Sequence, residues 1–275
     1  MKRALPLAEP ALLVCSLASG SRGNSTYVGT PERGLLVDVG VSAKRAADLL
    51  TRRELDPRRV RAILVTHEHR DHTSGVRVFC RRHRVPVYVQ RDVRDHVDLD
   101  GVDDVRTFGG AEPFEVAGLE VLPFSIPHDT VEPLGYVIKR GEVRVGIATD
   151  LGIPTRLAAE RLRSCDAVLL EFNHDLEMLM DGPYPWWLKQ RVRSRMGHLS
   201  NEDALEMLGG IVEGPARQVM LGHLSQENNR PELVEAMVRD RLATMGRDDV
   251  HVTVLQQDVP GPVIALEPRR PAEGD

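Results

Sequence analysis

The densest chemistry in the 275-residue chain is the run Thr66-His67-Glu68-His69-Arg70-Asp71-His72. Three imidazoles and the Asp71 carboxylate fall within six positions, too many polar groups for each to find a private hydrogen-bond partner in an apolar core. They suit a cation. Imidazole favours Zn, Mn, Fe or Co over Ca, and the carboxylate keeps the site open to harder ions. On an extended loop, His67 and His69 project the same way because side chains alternate with period two. They can clamp one ion, leaving Asp71 and His72 to reach a second.

Further candidates end apolar runs. His128 follows the run 114–126 beside Pro127, where a side chain points into a cleft; a surface histidine fits the same pattern. Asp150 ends the run 143–149. A carboxylate there can bridge two cations and offset their repulsion, and an Asp before a turn also serves as a helix N-cap. Gly197-His198-Leu199-Ser200 recurs as Gly222-His223-Leu224-Ser225. The first copy opens a helix through Ser200-Asn201-Glu202-Asp203, which places His198 and Ser200 where phosphate oxygens bind well; the second copy follows a strand. In Ser19-Gly20-Ser21-Arg22-Gly23-Asn24-Ser25, small residues let backbone N–H groups approach an anion. Ser21, Arg22 and Asn24 are candidate substrate contacts, although a tight turn between strands explains the loop equally well.

The elements that must carry these residues are read from apolar runs and turn signals. Strands are expected at 12–17, 34–39, 61–66, 85–90, 167–172, 218–221 and 251–255. Paired strands broken at Ala117-Gly118 fill 114–126, and a hairpin turning at Arg140-Gly141-Glu142 fills 134–149. Helices are expected at 42–52, 73–84, 154–164, 201–211 and 231–244. Strands and helices intermix in both halves, which suits a four-layer αββα sandwich, two sheets face to face with helices outside. A single domain over 1–268 is expected, with a frayed tail at 269–275.

The net charge of −5 disfavours coating of nucleic acid by bulk charge, but Arg191, Arg193 and Arg195 form a local basic strip; a solvated helix face is the simpler account of any one such cluster. Three widely spaced cysteines without a CxxC fit reduced thiols in a cytoplasm. Met1-Lys2-Arg3 loosely mimics an export signal, yet Glu9 and Pro10 interrupt the apolar run, so residues 11–18 read as a first strand. No run reaches membrane-spanning length. Aromatics are scarce, so no stacking platform for bases is expected.

His67-x-His69-x-Asp71-His72 after a strand resembles the signature of the metallo-β-lactamase superfamily. The resemblance implies the αββα fold and a two-metal site, with His128, Asp150 and His223 matching the later ligands. His67, His69 and His128 would hold one divalent ion, Zn or Mn. Asp71, His72 and His223 would hold the other, Asp150 would bridge, and hydroxide activated between the ions would be the nucleophile. Glu171, in Leu170-Glu171-Phe172-Asn173-His174-Asp175, is similar to the glutamate that orients a proton-donating histidine in ribonuclease Z-like relatives; that histidine would be His198, with Asp71 sharing proton handling. The paired Gly-His-Leu-Ser and the Glu-Phe-Asn-His-Asp segment resemble the WalJ/YycJ-type subgroup over residues 12 to 260. This implies a bacterial exonuclease acting 5′-to-3′ on double-stranded DNA. A small-molecule hydrolase of the same fold, acting on a cyclic phosphodiester, thioester or lactone, is the rival. No β-CASP-type insertion and no tRNA-gripping arm is visible, so tRNA processing is disfavoured.

Overall fold

A computed structural model describes residues 12–268. The expected tail at 269–275 and the Met1-Lys2-Arg3 start lie outside the described residues. The described residues build two seven-stranded sheets. The first comprises β1 (Leu12–Ala18), β2 (Ser25–Gly29), β3 (Gly34–Val37), β4 (Val60–Leu64), β5 (Val87–Gln90) and β6 (Val105–Phe108) in that order. The second comprises β7 (Phe114–Val116), β8 (Leu119–Ser125), β9 (Leu134–Arg140), β10 (Val143–Ala148), β11 (Ala167–Glu171), β12 (Gln218–Gly222) and β13 (His251–Val254). The chain then returns to the first sheet, where β14 (Ile264–Leu266) pairs antiparallel with β1.

Each sheet begins with antiparallel hairpins and turns parallel. In the first, β3, β4, β5 and β6 run together; in the second, β10, β11, β12 and β13 do. Parallel strands need crossovers, and these are the helices: α1 (Ala43–Arg52), α2 (Arg70–Thr73) and α3 (Val76–His83) on the first sheet, then α4 (Arg156–Arg163), α5 (Leu176–Asp181), α6 (Trp186–Val192), α7 (Asn201–Val212) and α8 (Pro231–Thr244) in the second half.

The strands read as continuous apolar runs because both faces are covered. Along β1, Leu12 and Val14 point between the sheets, towards Tyr136, Ile138 and Leu169. Leu13, Cys15 and Leu17 point outward against Leu49, Leu50 and Phe79 of α1 and α3. The second sheet repeats the scheme, with Val168, Leu170 and Leu221 meeting Leu162, Leu208 and Val238 of α4, α7 and α8. This is the αββα sandwich that the mixed pattern implies. Cys15, Cys80 and Cys165 are buried, and burial lifts the Cys15 and Cys80 thiols to about 11 and about 12. Among the described residues no helix is long and apolar enough to cross a membrane.

The element boundaries depart from expectation where close backbone contact overrides local pattern. The helix expected over 73–84 is broken at Gly75, whose N–H donates to Val39 O at 2.8 Å. A Cβ there would stand 2.0 Å from Val41 O, so only glycine lets the segment lie against the turn after β3. Strands β2, β6 and β14 and helices α5 and α6 are short elements that the apolar pattern alone does not mark.

Candidate metal centre

The parallel strands set the site. Their carboxyl ends in the two sheets share one rim, and ligands of open α/β sheets bind at such ends. Asp38 follows β3, the His67–His72 loop follows β4, Asp150 follows β10, Glu171 ends β11 and His223 follows β12; His128 joins them after antiparallel β8. Asp38, Asp150 and His223 adopt the left-handed conformation, with φ of 60°, 63° and 54°. A side chain held in that region costs about 1 kcal/mol or more. Packing enforces it here, and it turns three groups off their strands toward one point.

The nine residues His67, His69, Asp71, His72, His128, Asp150, Glu171, His198 and His223 gather into three overlapping groups, each with ligand atoms within 4.8 Å of one another. His67, His69 and His128 form the first. Asp71, His72, Asp150 and His223 form the second, and Asp150, Glu171, His198 and His223 the third. Asp150 joins them, with Oδ2 3.2 Å from His72 Nε2 and Oδ1 3.6 Å from His223 Nε2 and 3.8 Å from His128 Nε2.

Hydrogen bonds set each ring's orientation from behind. His72 Nδ1 lies 2.7 Å from Asp38 Oδ2, and His128 Nδ1 lies 3.0 Å from the Gly197 carbonyl. His198 Nδ1 and His223 Nδ1 both lie 2.8 Å from the same oxygen, Glu171 Oε1. The carbonyl can only accept, so His128 Nδ1 carries the proton. Asp38 faces His72 Nδ1, and Glu171 faces the Nδ1 atoms of His198 and His223, so each of these rings is oriented through Nδ1 in the same way. Glu171 is itself fastened, because Oε2 accepts from Leu151 N at 2.8 Å and Leu199 N at 3.2 Å.

The electrostatics call for a cation. Burial favours neutral forms and, with the charge on His72 beside it, drives His67 well below its ordinary value. At His72 burial is outweighed by Asp150, Asp38 and Asp71, which hold the ring protonated well above its usual range. His223 is likewise raised against burial, to about 10, by Asp150, Asp71 and Glu171. Burial opposes ionisation of Asp150, yet His223 and His72 keep its pKa well below the carboxylate range; Glu171, against the same penalty, is held at about 2 by His198 and His223. Asp150 and Glu171 therefore stay ionised, and positive charge gathers around them. His67 Nε2, Asp150 Oδ2 and His223 Nε2 are buried without a hydrogen-bond partner, and His69 Nδ1 faces His128 Nε2 at 3.3 Å. Unpartnered atoms converging on the acidic centre are what a divalent ion would satisfy, so the residues present fit metal.

The candidate substrate contacts scatter. Ser21 lines the 230 Å³ cleft over the centre, together with Tyr184, Leu188, Arg191 and His198. Asn24 does not face it. Its buried amide brackets Gly20 N and O at 2.9 and 3.1 Å and rests 3.1 Å from His72 Nε2, bracing the loop against the histidine motif. Arg22 is drawn to the surface by Asp258, 2.9 Å away. Ser200 is occupied as the N-cap of α7, accepting from Asp203 N at 3.1 Å. Of the basic strip, Arg191 reaches the cleft mouth and is held there by Asp129. Asp38 was not singled out by sequence, although it ends the apolar run of β3 just as Asp150 ends that of β10.

Residues 33–224 match the model of the β-lactamase superfamily domain. The chain belongs to the metallo-β-lactamase superfamily. Within the superfamily it is similar to exodeoxyribonuclease YycJ of Bacillus anthracis, 36% identical over 242 residues, which are 84% of this chain and 89% of that protein. It is also similar to exodeoxyribonuclease WalJ of Streptococcus pneumoniae serotype 2, 36% identical over 82% of this chain and 87% of that one. The fold is similar to that of the metallo-β-lactamase fold protein YhfI from Bacillus subtilis, with a TM-score of 0.69 at 13% identity over 90% of this chain and 98% of that one. Superfamily membership and the histidine–aspartate groups make the chain a metal-dependent hydrolase.

Proposed function

We propose that the chain is a DNA exonuclease that hydrolyses phosphodiesters from the 5′ end of double-stranded DNA, with two divalent ions, Zn or Mn. The observation that carries the reading is a second histidine at the wall of the cleft beside the metal centre. His198 is clamped by Glu171 and open to the cleft, in a chain 36% identical to exodeoxyribonucleases over most of its length. His67, His69 and His128 would hold one ion, Asp71, His72 and His223 the other, and Asp150 would contact both. When bound, the ions supply Lewis-acid charge for a phosphate and make water acidic enough to act as nucleophile at neutral pH.

The chain's own residues do the rest. The cleft over the centre is narrow, 230 Å³, and holds one phosphate against the rim. Glu171 accepts a hydrogen bond from His198 Nδ1–H and fixes the ring. As water oxygen adds to phosphorus and the P–O ester bond breaks, His198 Nε2 gives its proton to the departing oxygen, and that oxygen leaves as a hydroxyl. Asp71, 24% exposed at the cleft floor, is placed to take the proton released by the attacking water. Arg191, held at the mouth by Asp129, faces the backbone of the incoming strand.

The test is a time course on 5′- and 3′-labelled duplexes and single strands with Mn, Mg or Zn, beside bis-p-nitrophenyl phosphate and a thioester. Mononucleotide release from the 5′ label, lost in His69→Ala, is expected. Intact nucleic acid with rapid thioester hydrolysis would replace the nuclease reading by that of a small-molecule hydrolase.

A further inference from the structure

Both tryptophans of the chain stand side by side on α6, and both face solvent, Trp186 59% exposed and Trp187 65%. Leaving such rings in water forgoes a large burial free energy, and the rest of the fold shows that this sequence can bury aromatics: Tyr27, Tyr136, Phe79, Phe124 and Phe172 are almost fully covered. The scarcity of aromatics suggested that no stacking platform exists. The two largest rings are nonetheless concentrated at one exposed place beside the metal cleft.

Helix geometry divides α6 into two faces. At about 100° per residue, Leu188, Arg191 and Val192 share the side that lines the cleft. Trp186, Lys189, Gln190 and Arg193 share the opposite side and, with Met180, line a second cavity of about 410 Å³. Trp187 stands on the crest between them, one turn from Arg191. The second cavity has a flat aromatic wall and two cationic side chains, and no carboxylate lines it. Lys189 Nζ donates to the Met180 carbonyl and Arg193 Nη1 lies 3.7 Å from Met180 Sδ, so neither charge is cancelled by an acid within the cavity. An aromatic wall flanked by uncancelled cations is complementary to a base attached to phosphates, because every base offers a π-face and every linkage a negative charge.

We propose that α6 is a strand-separating crest. The strand to be hydrolysed passes along the Leu188–Arg191–Val192 side into the metal cleft, and an unpaired base of the other strand stacks on Trp186 in the cavity behind, with Lys189 and Arg193 meeting its phosphates. This rests on the nuclease reading and adds to it a preference for ends where the strands can part. A duplex cannot place one phosphate on a recessed centre while its partner strand stays paired beside it; a binding place for the freed base offsets the unpairing.

Both tryptophans lie on this helix, so intrinsic fluorescence reports on it alone. The metal-loaded protein should be titrated with a single-stranded phosphorothioate oligonucleotide, which resists hydrolysis. Quenching that saturates is expected. By fluorescence anisotropy of a labelled oligonucleotide, Trp186→Ala should weaken binding by roughly 5- to 150-fold, the span of one base stack, and Trp186→Phe should recover much of it. On labelled duplexes Trp186→Ala should slow blunt ends more than pre-frayed ends, with metal content and melting temperature as in the parent. Unchanged affinity and rate in Trp186→Ala, with the parent still degrading DNA, would overturn the crest while leaving the nuclease reading in place. A response to anionic lipid vesicles but not to oligonucleotide would overturn it in favour of a membrane-facing surface. A parent that neither binds nor degrades any nucleic acid removes the nuclease reading and the crest together.

Discussion

Gly197-His198-Leu199-Ser200 and Gly222-His223-Leu224-Ser225 are the same four residues put to different ends. Both histidines turn Nδ1 to Glu171 Oε1 at 2.8 Å, so local sequence and the hydrogen-bond partner are shared. What differs is the backbone each follows. His223 leaves the buried strand β12 in the left-handed conformation and is thrust into the acidic centre, 2% exposed, with Nε2 3.6 Å from Asp150 and 3.7 Å from Asp71. His198 precedes α7, 18% exposed, at the wall of the cleft. The serines diverge in step. Ser200 caps α7, whereas Ser225 Oγ accepts from Asn228 N at 3.1 Å in a turn. The same side chains thus take separate positions through the elements they are attached to, not through their neighbours in sequence.

Four substitutions separate the copies, in falling order of effect. His223→Ala should release metal, measured by elemental analysis after gel filtration, and lower turnover by more than about 10⁴-fold, beyond the loss of one proton donor. His198→Ala should keep its metal and slow by roughly 10² to 10⁴-fold; if it is His198→Ala that sheds metal and His223→Ala that keeps it, the roles exchange. The smallest contrast is in the serines. Ser200→Ala should cost about 1 kcal/mol for the lost cap, a fall of roughly 2–4 °C in melting temperature. Ser225→Ala, which caps no helix, should cost less, and equal losses in calorimetry would mean that the two turns are energetically alike.

The gathering of the histidine motif with His128, Asp150, Glu171 and His223 was legible in sequence because these polar groups end apolar runs and must collect somewhere, whereas His198 follows a basic stretch and was marked by the repeated Gly-His-Leu-Ser and by the family resemblance. The sandwich was legible for the same reason, as its strands are long and apolar on both faces. Asp38 carries the same cue and was passed over beside the denser motif. Asn24 and Ser200 looked like anion contacts because small polar residues serve turns, caps and ligands alike, and only the position of the partner N–H distinguishes these uses. Helices α5 and α6 were missed because seven or fewer residues give too few turns for an apolar period, and α6 has no buried stripe, only Val192. The exposed tryptophans could not be told from core residues by composition.

The centre straddles the two sheets, and this bears on how the chain reaches its folded state. Asp38, His67 and His72 come from the first sheet, while Asp150, Glu171 and His223 come from the second. None of the groups is completed within one hairpin or one βαβ unit, so they are non-local contacts of the kind that form late in folding. A nascent chain therefore offers scattered histidines rather than this cage. Ions captured by the cage act mainly on the exit from the native basin, lengthening its lifetime without hastening its formation.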